Sequence, residues 1–482
     1  MINKRLEFGG FLSDMEIGKL EEAALDILAR AGMKISNRKA IDELSGLEGI
    51  KIKDGRVYMD RSLVKSKLEL YKRERINNNF WFRNKNVNSE PVQQRSSDDD
   101  AYPLVPALLP SGHCCYILDP NSGKIRPLLR QDVIDMTKLL DSLSKDNPIR
   151  ISAPGNPTDL PVLLQPVARY KISCEYSRHA GFSAPCNDIR SSKYIYEMSK
   201  VVGKPFIPTM SVISPLKMGG NGFDTMMYYM DKKVLLLPSA WGMLGATTSI
   251  SVSKACTQIM AEAIGAYTII KLLSNDGLVS FYMRLIGFDM KEASYNYGTP
   301  ESVLLDTLTV DLNTYYGNAP HVQMNTMAKE PGVQSGVEKF STTFFGIISK
   351  SKSLGDVGSL CLDEIFSPEQ LIYDCEILDN ALRLARGLDF EEFDTDSFID
   401  ELRQTKTFLE SDETANNFRN VYWMSKLFSR SMLQQYFARK ENQRKRVKEI
   451  VKEKIKEHDF ELEDDKRKEI NRIYEAAEKE LG

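Results

Sequence analysis

Between Pro238 and Glu338 the chain reads Pro238-Ser239-Ala240-Trp241, then Leu278-Val279-Ser280-Phe281-Tyr282-Met283-Arg284, then His321-Val322-Gln323-Met324-Asn325. These are three strand-like segments, each followed by a segment of helical length. Aromatic, cationic and small residues at the ends of successive βα units are what a barrel enzyme uses to hold a small ligand. The helix after Trp241 is expected to open at Gly245-Ala246-Thr247-Thr248-Ser249 and to run through Ala261-Glu262-Ala263-Ile264-Gly265-Ala266 to Leu272 and Leu273.

Outward from this block the alternation continues. Short apolar runs recur at 114–118, 149–152, 181–184, 206–214, 234–238, 278–283, 321–325 and 356–360, with helical patterns between them. That rhythm predicts parallel strands joined by right-handed crossovers, and about eight such units close a (β/α)8 TIM barrel of the α/β class. In the first unit, Asp119-Pro120-Asn121-Ser122-Gly123 followed by Lys124-Ile125-Arg126 reads equally as a hairpin.

Helical extensions flank the predicted barrel. Ser13 and Glu16 have capping-box spacing, Ile17, Leu20, Ala24, Ile27 and Leu28 recur at helical intervals, and Gly32 stands at the C-terminal cap. A second helix is expected near residues 60–73. The division is therefore an N-terminal helical extension over 1–75, the TIM barrel over 76–388 and a C-terminal helical region over 389–482. The charged run 439–480, with opposite charges interleaved at helical spacing, reads as a solvated helix.

The 482 residues, 42% hydrophobic and 27% charged with a net charge of −3, describe an ordinary globular protein without the basic excess that attracts nucleic acid. The polar start Met1-Ile2-Asn3-Lys4-Arg5 and the lack of an apolar run near 20 residues point to a cytoplasmic protein independent of membranes. Seven cysteines without paired short spacings point to reduced thiols.

Walker, HExxH, GxSxG and CxxC motifs are missing. Met218-Gly219-Gly220-Asn221-Gly222 lacks a following lysine and reads as a plain βα turn. His113-Cys114-Cys115 and Cys174 with His179 lack zinc spacings, so no metal is expected. What remains is a set of rings and one cation at predicted strand ends: Trp241, Tyr282, Tyr295, Tyr297 and His321, joined by Tyr102 before the first strand and Phe366 after the last. Aromatic faces suit a permanent cation. Arg284 has the fork that clamps a carboxylate, with His321, or Arg178 and His179, as alternatives and Asp289 as a purely structural partner.

The order Trp241, Tyr282-Met283-Arg284, Asp289-Met290-Lys291, Tyr297-Gly298-Thr299-Pro300-Glu301, His321, then Lys329, Gln334, Gly336 and Glu338 resembles the trimethylamine methyltransferase family. The likeness extends from Phe11-Leu12-Ser13 to Phe366-Ser367-Pro368-Glu369, Leu409-Glu410-Ser411, Phe418-Arg419 and Arg430. It implies a TIM barrel with no permanently bound cofactor, which moves a methyl group from an amine to the cobalt of a corrinoid carried by a cognate partner protein in anaerobic one-carbon metabolism. Where the family often carries an acid, this chain has Gly332. It also lacks the pyrrolysine of the trimethylamine enzymes, so it looks like the branch acting on quaternary amines such as glycine betaine.

That chemistry suits the residues. A quaternary ammonium releases a neutral amine, so the leaving group needs no proton. With the partner's Co(I) as nucleophile, no catalytic side chain is assigned to this chain, which binds the cation, excludes water and aims one methyl. Two other readings stand beside this one: a barrel acting on another methyl donor or a pterin, and a betaine-binding subunit without catalysis. Homo-oligomerisation is left open.

Overall fold

The structure, a computed structural model, describes residues 2–77, 105–150, 153–180, 186, 188–275, 277–405, 407–439 and 442–482. The mixed α/β chain is organised around two sheets of parallel strands. In one, Leu237–Leu244 lies between Thr209–Val212 and Tyr282–Asp289, both parallel to it. The short antiparallel strand Ser294–Tyr295 edges that sheet. In the other, Ser353–Val357 lies between His321–Gln323 and Ala107–Pro110, and a single parallel bridge joins Leu108 to Ile149.

Several expectations shift. The parallel strand of the first unit is Ala107–Pro110, while Tyr116–Leu118 pairs antiparallel with Ile125–Pro127, so the hairpin reading of that segment holds. Asp119 organises its turn by accepting from the Asn121 and Ser122 N–H groups, both at 2.8 Å, and from Arg126 Nε. The apolar run at 181–184 lies outside the described residues. The strand predicted to stop at Pro238 instead begins at Leu237 and runs to Leu244, carrying Trp241 in its middle. Its helix starts at Val252, because Gly245 at φ 85° turns the chain and residues 245–249 form a loop.

The same displacement affects the next strand, Tyr282–Asp289, of which the run 278–283 supplies the approach and only the first two residues. Hydrophobic content marks where a strand enters the core, whereas its polar and aromatic half is read from sequence as loop.

The N-terminal helix Asp14–Arg30 has the expected capping box, with Ser13 and Glu16 bonded reciprocally; the helix expected near 60–73 spans Arg61–Asn77, and a short helix, Arg38–Leu44, lies between the two. The N-terminal part is not purely helical. Met33–Ile35, Ile50–Lys53 and Arg56–Met59 form a small sheet with Lys217–Met218, and Ile2–Lys4 pairs with Leu388–Phe390. Gly265 lets this unit pack closely, since a Cβ there would run into Met33 and Leu28. In the charged C-terminal run, Gln443–Lys456 and Asp464–Leu481 each bury one apolar face, through Val447 and Val451 and through Ile470, Ile473 and Tyr474. These helices are amphipathic and not wholly solvated.

Candidate binding site between the two parallel sheets

Strand alternation decides which side chains meet. Along Leu237–Leu244, Ala240 and Gly242 are buried toward the Val252–Leu273 helix, where a Cβ on Gly242 would strike Ile259 and Thr248. Ser239, Trp241 and Met243 therefore point to the opposite face. Parallel register sets Tyr282 beside Ser239 and Arg284 beside Trp241 on that face. The rings of Trp241 and Tyr282 lie 6.5 Å apart, and Tyr282 lies 6.3 Å from the His321 ring on the second sheet. The Tyr282 hydroxyl also donates to the His321 carbonyl at 2.8 Å, bridging the two sheets.

Arg284 is the centre of the group. It is 1% exposed, and its guanidinium carbon sits 5.2 Å from the ring centres of both Trp241 and Tyr297. Its fork is already engaged: Nε and Nη2 donate to Asp306 at 2.8 and 3.1 Å. This corrects two expectations. The structural partner is Asp306, from the middle of the Pro300–Tyr315 helix, not Asp289, and the engaged edge cannot clamp a substrate carboxylate. One group remains: Nη1 is buried with no hydrogen-bond partner among the described residues. A buried donor left unpaired costs about 1–3 kcal/mol, so its retention calls for an explanation.

The network continues beyond Arg284. With the Asn325 amide oriented by its neighbours, its oxygen accepts from Arg284 Nη2 at 3.0 Å and its nitrogen donates to Asp356 Oδ2 at 2.7 Å. Asp356 sits at φ 56°, and its carbonyl accepts from Lys339 Nζ at 3.2 Å. Burial, and next the charge of Asp363, push the Asp356 carboxyl up to about 7, against the pull of Arg284 and Lys339. Asp363 in turn accepts from Ser111 Oγ, whose oxygen accepts from the His113 N–H.

Burial and the Arg284 charge hold His321 down to about 3, so it is neutral at physiological pH, with Nδ1 2.8 Å from Ser353 Oγ. Gly355 is required beside it, as a Cβ would collide with the imidazole. Burial disfavours the charged form of Arg284, and the Asp306 carboxylate opposes this by its charge and its hydrogen bonds.

The structure thus gathers Trp241, Tyr282, Arg284, Tyr297 and His321. Tyr295 stacks on Tyr297 at 5.4 Å from the exposed side. Phe366 does not join them: it is fully buried, packed against Gly358 and Leu371 in the core, so its role is packing. Tyr102 lies outside the described residues. Arg178 is bound to Asp141 and Asp459, which removes it as an alternative clamp. The Cys114 and Cys174 thiols are buried and pushed up by that burial, as inert core thiols are. Gly332 is an exposed extended N-cap with open space at its Cβ position, and nothing in the structure explains the missing acid.

Sequence reading missed Asp306, Asn325, Asp356 and Asp363. Asp306 left a signal, being a lone carboxylate in the apolar run Val303-Leu304-Leu305-Asp306-Thr307-Leu308. Such a residue is rarely buried unless paired.

The profile of the trimethylamine methyltransferase (MTTB) family matches residues 110–482. Among characterised relatives, a proline betaine:corrinoid methyltransferase of Eubacterium limosum is 23% identical over 50% of each chain. The trimethylamine methyltransferase of Methanosarcina barkeri is 23% identical over 55% of each, and the glycine betaine methyltransferase of Desulfitobacterium hafniense is 22% identical over 87% of each. The chain spans about half the length of the first two of these relatives and most of the third. Among solved structures, the M. barkeri monomethylamine methyltransferase aligns over 94% of this chain and 90% of that one, with a TM-score of 0.46 and 12% identity. The match across residues 110–482, which takes in every described residue of the Trp241–Arg284–Asp356 network, establishes that the chain belongs to the trimethylamine methyltransferase (MTTB) family.

Proposed function

We propose that this protein transfers a methyl group from a betaine-type quaternary amine to a reduced corrinoid carried by a partner protein. In this reading the two parallel sheets are arcs of one (β/α)8 barrel whose interior face carries Trp241, Tyr282, Arg284 and His321. The reading is supported by the family match and by relatives named for glycine betaine and proline betaine. The observation that carries it to a substrate class is the buried Arg284 Nη1, without a partner among the described residues, on a guanidinium held between Trp241 and Tyr297.

The rings are not an empty cage, because the chain's own cation occupies the space between two of them. The substrate cation needs other company, and Asp356 with Asp363 supplies the opposite charge on the far side of Asn325. A zwitterion satisfies both ends: its anionic oxygen accepts from Arg284 Nη1, and its ammonium lies toward the aspartate pair. The chain's residues then orient one methyl and exclude water; no side chain needs to protonate the departing tertiary amine. Tyr295 is retained as a candidate substrate contact at the outer edge, and Tyr102 as a candidate on its sequence position alone.

The pH dependence of binding tests this arrangement. Below about pH 7 Asp356 holds its proton, so a bound cation must displace it; above, the carboxylate is already charged. Affinity for glycine betaine should therefore rise about tenfold between pH 6 and pH 8, with proton release that calorimetry in two buffers detects at the lower pH. His321, held near 3, stays neutral throughout. Asp356→Asn should flatten the profile. An equally steep profile in that variant would remove Asp356 from the site.

A further inference from the structure

Residues 388–439 form an arm built unlike the rest of the chain. Its helices Thr395–Gln404, Asp412–Val421 and Leu433–Arg439 have 10, 10 and 7 residues, and none of them buries a side chain. Isolated helices shorter than about 12–15 residues are marginal in water, so these need packing that the described part of the chain does not give them. Large apolar side chains stand exposed along both halves: Phe393, Leu402 and Leu409 in the first, Tyr422, Met432 and Phe437 in the second. Leu409 is 85% exposed and Met432 76%.

The arm is not loose at its root. Arg383 and Arg386 of the Pro368–Arg386 helix donate to the carbonyls of Val421 and Asn420. Glu376 of the same helix accepts from Ser425 Oγ and from the Lys426 N–H, and Leu427 is buried beside them. The two halves therefore extend from a fixed point.

Their charges are opposite. Residues 388–413 contain 10 acids (Asp389, Glu391, Glu392, Asp394, Asp396, Asp400, Glu401, Glu410, Asp412, Glu413) against 2 bases (Arg403, Lys406), a net of −8. Residues 414–439 contain 4 bases (Arg419, Lys426, Arg430, Arg439) and no acid, a net of +4. A surface with an acidic half and a basic half is self-complementary under a twofold rotation, which sets each half against the opposite half of its copy.

We infer that the arm is the interface between two copies of this chain, packed antiparallel with acidic half on basic half. A transient partner leaves a modest, polar contact, whereas many exposed apolar side chains along an entire arm suit a permanent one. This inference does not depend on the catalytic reading.

Sedimentation velocity on the full chain tests it. The wild type should sediment as a pair, or an even multiple, of the 54.7 kDa chain at roughly 10 µM. Glu391→Lys/Glu392→Lys and, separately, Arg419→Glu/Arg430→Glu should each weaken association at least tenfold while circular dichroism is unchanged. Combining all four reversals leaves the halves at −4 and 0, so the combined variant should associate no better than either double variant. A wild type that sediments as a single chain overturns the proposal, including the case where the arm instead captures the corrinoid protein. So does a combined variant that stays folded and still sediments as the pair.

Discussion

Asp306→Asn should destabilise the fold by about 3–5 kcal/mol, because it leaves the Arg284 guanidinium buried without its counter-charge. Arg284 is 1% exposed, and Asp306 binds it through two bonds of 2.8 and 3.1 Å. The amide keeps the shape of the carboxylate and one acceptor but loses the charge, and on its nitrogen side it turns N–H against N–H. Urea unfolding followed by circular dichroism measures the loss as a lower midpoint at unchanged slope. A change under about 1 kcal/mol would mean that water reaches the pair and that the site is open at this point.

The second large effect separates stability from function. Replacing both partners, Arg284→Met with Asp306→Leu, removes the charges together and should leave stability near that of the wild type, as buried pairs often allow. Methyl transfer from a betaine should nonetheless fall about 100-fold, the loss of one charge-assisted bond to the substrate's anionic oxygen. Choline, which has the ammonium but no carboxylate, should be used no worse by the double variant than by the wild type. If both substrates fall equally, Arg284 acts only by holding Trp241 and Tyr297 in place.

Much of this arrangement is legible in the sequence, for identifiable reasons. The capping box at Ser13 and Glu16 is local chemistry and needs no tertiary context. The rings at Trp241, Tyr282 and Tyr297, with Arg284 and His321, stand out because polar and aromatic residues interrupt apolar runs. Parallel register then brings Trp241 beside Arg284.

Other features are hidden by their range. Asp306 reaches Arg284 from another element, 22 residues away, and Asn325 and Asp356 meet only through the pairing of their own sheet. The pairing of Lys34 and Ile35 with Lys217 and Met218 spans most of the N-terminal half, and strands of two or three residues carry no periodicity to read. Phe366 looked like a site ring because it follows a strand, but its two-residue strand Ile365–Phe366 pairs with Tyr116 and Ile117 and turns the ring into the core.

The most direct test of the central claim mixes the protein with glycine betaine and a cognate corrinoid protein reduced to Co(I), and follows the absorbance of methyl-Co(III). The account predicts methylated corrinoid formed in equal amount with dimethylglycine, at a rate that depends on the concentration of this protein. Cobalt that stays unmethylated with every betaine-type amine, although calorimetry records their binding, would contradict it.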